Sequence, residues 1–439
     1  MNSSLKFEPI DPRSEVVGIC QDLIRIPSVN YGDRGDERAV AAYVMASLKE
    51  VGLDPELIVS GENRVNVAVR IPGTDRVRPG LVLHGHLDVV PADPAAWSVD
   101  PFGGQIKDGM IWGRGAVDMK DMNAMMLSII RSWAKTGYVP PRDISLVFFA
   151  DEEAGGTFGS RWMIANRPDV FEGCDEAVSE VGGFSITLEN GKRLYLIETA
   201  EKGIHWMRLI AEGVAGHGSM LNRQNAITEL AESVARIGNH EWPVRTPKSV
   251  HELLEKVAEA LGEEYDPENP DPMVAKLGPA ARMIGATLRN TANPTMLDAG
   301  YKANVIPQTA SAIIDGRFLP GLEKELLDTV ASLIGENVRI ETVTFDKSLE
   351  TSFDGAMVDA MCKAILAEDP EAILVPYCMS GGTDNKALAE LGIRGFGFSP
   401  LKLPADLDFS ALFHGVDERV PVDALLFGTR VLDDFLRNC

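Results

Sequence analysis

Ile144-Ser145-Leu146-Val147-Phe148-Phe149-Ala150-Asp151-Glu152-Glu153 is a run of apolar residues, broken by one serine, that ends abruptly in three acids. A short continuous apolar run reads as a strand buried in a sheet. It falls far short of the roughly twenty residues a membrane helix needs. Before it, residues 122–135 carry apolar side chains at helical spacing and close at Gly137. Earlier still, 81–83 reads as a short buried strand, 65–71 as a strand stopped by Pro72-Gly73, and 37–51 as a helix ending at Gly52. Strands alternating with amphipathic helices predict a layered α/β domain.

The pattern changes near residue 204. Residues 204–211 alternate like a half-exposed strand, and 225–237 are helical. Residues 297–305 and 310–318 read as two adjacent strands, 323–334 as a helix and 338–345 as a strand. The order β-α-β-β-α-β predicts a ferredoxin-like unit. Residues 243–294 interrupt it with a helical core at 249–261 and a Pro-, Asp- and Glu-rich break at 266–272. Signals of the first type return after about residue 352. The expected organisation is one domain from 1–200 and 348–439, with a second inserted at 201–347 and hinges near 201–203 and 347–348.

Composition narrows the functions. The chain has 439 residues, 45% of them hydrophobic, and a net charge of −23. A surface this acidic argues against nucleic acid or an anionic membrane as the main partner. The five cysteines are scattered, with no close pair, which fits a reducing compartment. Residues 1–15 show neither a basic start nor an apolar stretch, so no signal peptide is expected and the setting reads as cytoplasmic.

Several short fragments carry candidate chemistry. His84-Gly85-His86-Leu87-Asp88 follows directly on an apolar run, and ligand sites in α/β sheets lie at the carboxyl ends of strands. A histidine there offers a ring nitrogen to a metal, and an aspartate two residues on can hold that ring. A histidine at a strand end can equally be structural. Asp118, in Gly113-Arg114-Gly115-Ala116-Val117-Asp118, stands just ahead of a helix and reads as a ligand or as an N-cap. Asp151, Glu152 and Glu153 repel one another at a strand end. Either a cation neutralises them or they form a solvated loop. The glycines that follow, 155–159, lack the lysine of a phosphate-binding loop. Glu180 follows another short apolar run, and His414 lies in Phe413-His414-Gly415-Val416-Asp417-Glu418. Taken together, two histidines with Asp118, Glu153 and Glu180 make a donor set for two hydrolytic metals. Zinc suits it, with cobalt or manganese as alternatives.

The fragments HGHLDVVP (84–91), GRGAVDMKD (113–121), ADEEAGG (150–156), SEVGG (179–183), AGHGS (215–219), GGTDNK (381–386) and FHGVDERV (413–420) resemble, in order, the signatures of a known family. It is the co-catalytic zinc aminoacylase, desuccinylase and carboxypeptidase family, which includes acetylornithine deacetylase. The resemblance implies a zinc-exopeptidase-like catalytic domain, with a mixed sheet between helices, and an inserted ferredoxin-like lid or dimerisation domain. It implies that His86 and Glu180 bind one metal, that Glu153 and His414 bind the other, and that Asp118 bridges them. Asp88 would orient His86, and Glu152 would be the general base. His217 would reach the site of a partner subunit in a homodimer and stabilise the oxyanion. Asn304 and Arg317 match carboxylate-binding positions, and Gly381 and Gly382 would offer backbone N–H groups. Two departures stand out: Val181 precedes the Gly-Gly pair, and the insertion at 243–294 is long.

The function these readings predict is metal-dependent hydrolysis of an amide to an amino acid with a free α-carboxylate, that is, of an N-acyl amino acid. The alternative is a dipeptidase or carboxypeptidase acting on peptides. A more remote one is a catalytically silent metal-binding relative.

Overall fold

In the computed structural model, which describes residues 11–439, the run that ends in three acids is the strand Ile144–Phe149, buried at every position. Of residues 1–15, on which the reading of a signal peptide rests, 1–10 lie outside the described range. The strand pairs in parallel with Gly80–His86, with Leu81 opposite Ile144 and His86 opposite Phe149. Gly80–His86 pairs on its other side with Cys174–Ser179, and Arg394–Gly397 continues the parallel series. These strands form the middle of a ten-stranded sheet. On one flank Arg64–Ile71 runs antiparallel to Ile144–Phe149. On the other, Arg193–Glu201 pairs antiparallel with Arg394–Gly397 and parallel with Ile373–Met379. The sheet is therefore mixed.

A central strand must bury both faces, and the two faces here join different cores. Leu81, Leu83, Ile144, Leu146 and Phe148 pack with the helices Arg13–Arg25, Lys120–Thr136 and Val422–Asn438. Val82, Val147 and Phe149 pack on the opposite side with Met163 and Leu388. The helix Lys120–Thr136 is buried from Lys120 to Trp133 and ends at Gly137 in the left-handed region, where glycine carries no Cβ penalty. The Lys120 ammonium stays satisfied by donating to the carbonyls of Leu23 and Ile26 at 2.9 and 3.0 Å. The strand expected at 81–83 runs on to His86. Its polar residue His84 is buried, with Nε2 3.0 Å from Asn385 Oδ1, so polarity does not end the strand.

The second sheet has four strands in the spatial order Thr291–Ala299, Thr309–Phe318, Gly203–Glu212, Val338–Asp346, with antiparallel neighbours throughout. The helices Ala226–Gly238 and Glu323–Leu333 complete the β-α-β-β-α-β order. Asn225 caps the first of them, its side chain accepting the Ile227 N–H at 2.9 Å. The strand expected at 297–305 lies instead at Thr291–Ala299. It is an edge strand exposed along most of its length, so it lacks an apolar period, and its Pro294 is tolerated there because an edge need not donate.

The segment between the first helix and the edge strand packs elsewhere. In the helix Lys248–Leu261, Val250, Leu253, Leu254 and Val257 face the core of the ten-stranded sheet, as do Met273, Leu277, Ile284 and Leu288 further on. Residues 248–288, grouped by sequence with the second unit at 201–347, thus pack against the first. An amphipathic helix announces that it has a partner but not which sheet that partner is. Lys202 stitches the segment down by donating to the carbonyls of Ala286 and Arg289 at 3.0 and 2.8 Å. Among the described residues no helix is long and apolar enough to cross a membrane.

Candidate metal centre

The parallel strands deliver their acids and histidines to one edge. His86 is the last residue of Gly80–His86, and Glu180 stands one residue past Cys174–Ser179. Asp151, in the left-handed region at φ 65°, turns the chain after Ile144–Phe149 so that Glu152 and Glu153 occupy a single helical turn. Asp118 lies two residues before Lys120–Thr136 and is not its cap, since Met119 holds that position. His414 comes from a loop near the C-terminus, itself at φ 57°.

These side chains form two donor groups. His86, Asp118 and Glu180 make one, and Asp118, Glu153 and His414 the other, the donor atoms of each group lying within 4.8 Å of one another. Asp118 belongs to both. Its Oδ1 is 3.0 Å from His86 Nε2 and its Oδ2 is 3.2 Å from His414 Nε2. Glu180 Oε2 is 3.5 Å from His86 Nε2, and Glu153 Oε2 is 3.0 Å from His414 Nε2. Glu152 belongs to neither group but lines the cavities on both sides of them.

The electrostatics fit a pair of cations. Burial pushes the Glu153 and Glu180 carboxyls up to about 7, with Asp118 adding to the push. Burial also drives Glu152 well above the usual range, with Glu180, Asp384 and Glu153 repelling it further. Burial opposes the charged form of Asp118 too, yet hydrogen bonds from His414 and His86 hold it below the usual range. His414 rises to about 10 through its bonds to Asp118 and Glu153. A set of buried carboxylates that resist their own charge, arranged around imidazole nitrogens, suits divalent cations, whose charge removes the penalty.

Asp88 touches His86 chiefly through its backbone. Its carbonyl lies 2.9 Å from His86 Nδ1, and its carboxylate lies 3.7 Å from the same nitrogen. The carboxylate accepts the backbone N–H groups of Glu152 and Glu153, both at 3.1 Å, and the Asn30 side-chain amide at 2.8 Å. Asp88 therefore holds the turn that carries the two glutamates. Sequence reasoning missed the support behind it. Asp151 pairs with Arg64 at 3.2 Å and accepts from Asn30 at 3.0 Å, and Arg64 pairs with Glu37. The buried Glu418 likewise shapes the approach to Asp118, accepting the N–H groups of Gly115 and Val117 at 3.0 and 2.8 Å and pairing with Arg114 at 2.6 Å. Arg114, between Gly113 and Gly115, and Glu418 sit inside quoted fragments, so two charges of opposite sign within those fragments were the available signal.

Two cavities flank the donor groups. One, of about 500 Å³, is bordered by Val181, Met283, Ala286, Met379 and Phe413. The other, of about 520 Å³, is bordered by Arg161, Trp206, Arg317 and Asp346. Gly381 and Gly382 border both. Val181, the departure noted before the glycine pair, holds φ 55°, a strained setting for a β-branched residue. Arg317 pairs with Asp315 at 2.7 Å and faces the second cavity. His217 and Asn304 lie elsewhere. His217 is exposed and bonded to Ser219 at 2.8 Å, and the Asn304 carbonyl accepts the neighbouring Gly218 N–H. Neither borders the cavities in a single chain.

Residues 82–438 match the profile described as Peptidase family M20/M25/M40. Aminoacylase-1 of Sus scrofa is 26% identical over 429 residues, covering 96% of this chain and 94% of its own. The N-fatty-acyl-amino acid synthase/hydrolase PM20D1 of Bos taurus is 28% identical over 387 residues, covering 84% of this chain and 76% of its own. Among solved structures, the M20 family metallo-carboxypeptidase Sso-CP2 from Sulfolobus solfataricus shares the fold, with a TM-score of 0.73 at 19% identity over 97% of this chain and 99% of that one.

Proposed function

The chain belongs to peptidase family M20/M25/M40 and is a hydrolytic enzyme acting on amide bonds; within that chemistry we propose that it cleaves N-acyl amino acids with a free α-carboxylate. The observation that carries this reading is Asp118, shared by two donor groups, with the partly buried Glu152 beside both and part of neither. His86 and Glu180 would hold one cation, Glu153 and His414 the other, and Asp118 both. When bound, the cations would polarise the amide carbonyl and acidify the attacking water.

The protein side chains would do the rest. Glu152 takes the proton from that water and returns it to the departing amine. The rise of its carboxyl above the usual range, driven by burial and by the neighbouring acids, supports this role because it makes Glu152 a stronger base. Arg317 meets the α-carboxylate, a pairing its planar fork favours, after exchanging Asp315 for substrate. Gly381 and Gly382 present backbone N–H groups at the meeting of the two cavities. The apolar border of Val181, Met283, Met379 and Phe413 favours an acyl chain over a second free amino group.

The unit within 201–347 would act as lid and dimerisation domain. Its edge strand supports that, because Met296 and Leu297 are 68% and 61% exposed on an unpaired edge, which is a template for pairing. His217 and Asn304 would then serve the site of a second copy, where His217 steadies the oxyanion. Zinc is the cation that best suits the donors, with cobalt or manganese as substitutes. The five free cysteines support a cytoplasmic setting.

The test is amine release from chelator-stripped protein given zinc, cobalt or manganese. Substrates would be N-acetyl, N-benzoyl and N-lauroyl amino acids beside dipeptides with the same C-terminal residues. Metal-restored cleavage of the acyl series is expected. Cleavage confined to dipeptides would replace this reading with the peptidase one.

A further inference from the structure

Met283 and Ser410 are part of the wall of the cavity of about 500 Å³ beside the donor groups. Both residues also border a second, smaller cavity of about 30 Å³. That cavity is otherwise walled mainly by apolar groups, among them Phe184, Ile186, Leu277, Leu407 and Phe409. Among the described residues these two alone border both spaces. Of the two, the methionine is the larger, so its thioether side chain is the main group shared by the two walls. Met283 sits on the short helix Ala281–Gly285, part of the segment that packs on the ten-stranded sheet, and is itself only partly buried against that core. An unbranched side chain with three rotatable bonds changes rotamer at little cost and leaves a different shape behind.

We propose that Met283 sets the length of acyl chain the enzyme accepts, standing between the cavity that receives the chain and a smaller apolar space that a longer chain enters when the side chain is trimmed or turned. This rests on the amidohydrolase reading above and adds to it the residue that decides the acyl class. Replacing methionine by alanine deletes Cγ, Sδ and Cε and joins the two spaces. Replacing it by tryptophan fills the end of the first.

The experiment is a straight-chain series of N-acyl amino acids, from acetyl upward, run on wild type, Met283→Ala, Met283→Trp and the volume-conserving Met283→Leu. Each methylene newly buried is worth about fourfold in kcat/KM. Met283→Ala should therefore move the optimum to longer chains by two or more carbons, with a gain on the order of tenfold there, and Met283→Trp should move it to shorter ones. Met283→Leu, which nearly conserves volume, should move the optimum least of the three. Binding of straight-chain fatty acids, the products, is measured by calorimetry on the same proteins and needs no turnover. Length-dependent affinity should shift in the same direction. An unchanged length profile in both Met283→Ala and Met283→Trp, in turnover and in binding, overturns the inference. A wild type that cleaves no acyl amino acid while its fatty-acid affinity still shifts with Met283 overturns the amidohydrolase reading and leaves the partition standing.

Discussion

Replacing Asp88 by asparagine tests how the general base is held. The carboxylate is buried and accepts three hydrogen bonds, from Glu152 N–H and Glu153 N–H at 3.1 Å and from Asn30 at 2.8 Å. Bonds to a charged acceptor contribute about 1.5–3 kcal/mol each, and neutral ones about 1. An asparagine keeps one acceptor oxygen. Turned to serve Asn30 and Glu153, it points its NH₂ at the Glu152 N–H, donor against donor. The loss is about 3 kcal/mol or more, and it falls on the turn that carries Glu152. If the displaced turn takes that energy from transition-state stabilisation, kcat/KM drops about a hundredfold. His86 keeps its partner, because the bond at its Nδ1 runs to the Asp88 backbone. The assay is steady-state hydrolysis of the best acyl amino acid, with metal content measured on the same preparations. A large fall in kcat, with metal lost first from the group containing Glu153, is expected. Activity within threefold of wild type would refute the reasoning, and loss of metal first from the His86 group would return Asp88 to the role read from sequence.

Glu152→Gln should retain both metals and lose about a hundredfold to ten-thousandfold in kcat, seen by comparing metal analysis with turnover. Asp118→Asn should weaken both sites together because the two groups share that residue, and metal titration should show no state in which one site is full at wild-type affinity. Arg317→Ala should raise KM on the order of tenfold or more with a smaller change in kcat, the pattern of a lost carboxylate contact. Leu297→Asp, on the exposed edge strand, should shift a dimer to monomers in sedimentation and lower activity with it if His217 serves the other copy.

The sequence made part of this structure legible. The donors of the two groups follow short apolar runs or fall in glycine-bearing loops, and a parallel sheet gathers such strand ends at one edge, so His86, Glu153 and Glu180 pointed to one place. What stayed hidden depends on tertiary register. Asn30 and Arg64 support Asp88 and Asp151 across separations of 58 to 121 and more than 80 residues in sequence, and nothing local marks either of them. The edge strand Thr291–Ala299 was misplaced because an exposed strand has no buried period to read. The helix Lys248–Leu261 showed its apolar face but not its destination, and the residues after it, Met283 among them, became visible at the site only in three dimensions.

Because that helix returns to the large sheet, the chain passes between the two sheets four times rather than twice. One link is the single residue Lys202, another is residues 289–290, a third is residues 347–348, and the fourth runs from Gly238 to Lys248. A body hung on two threads can swing, twist and drift. A body held by several short ones turns about a single line or hardly at all. Three of these links are one or two residues long, and the Lys202 ammonium clasps the carbonyls of Ala286 and Arg289 at the mouth of another. Any opening between the two sheets is thereby constrained by how the polypeptide is threaded as well as by contacts across the gap such as the Arg161–Asp346 pair.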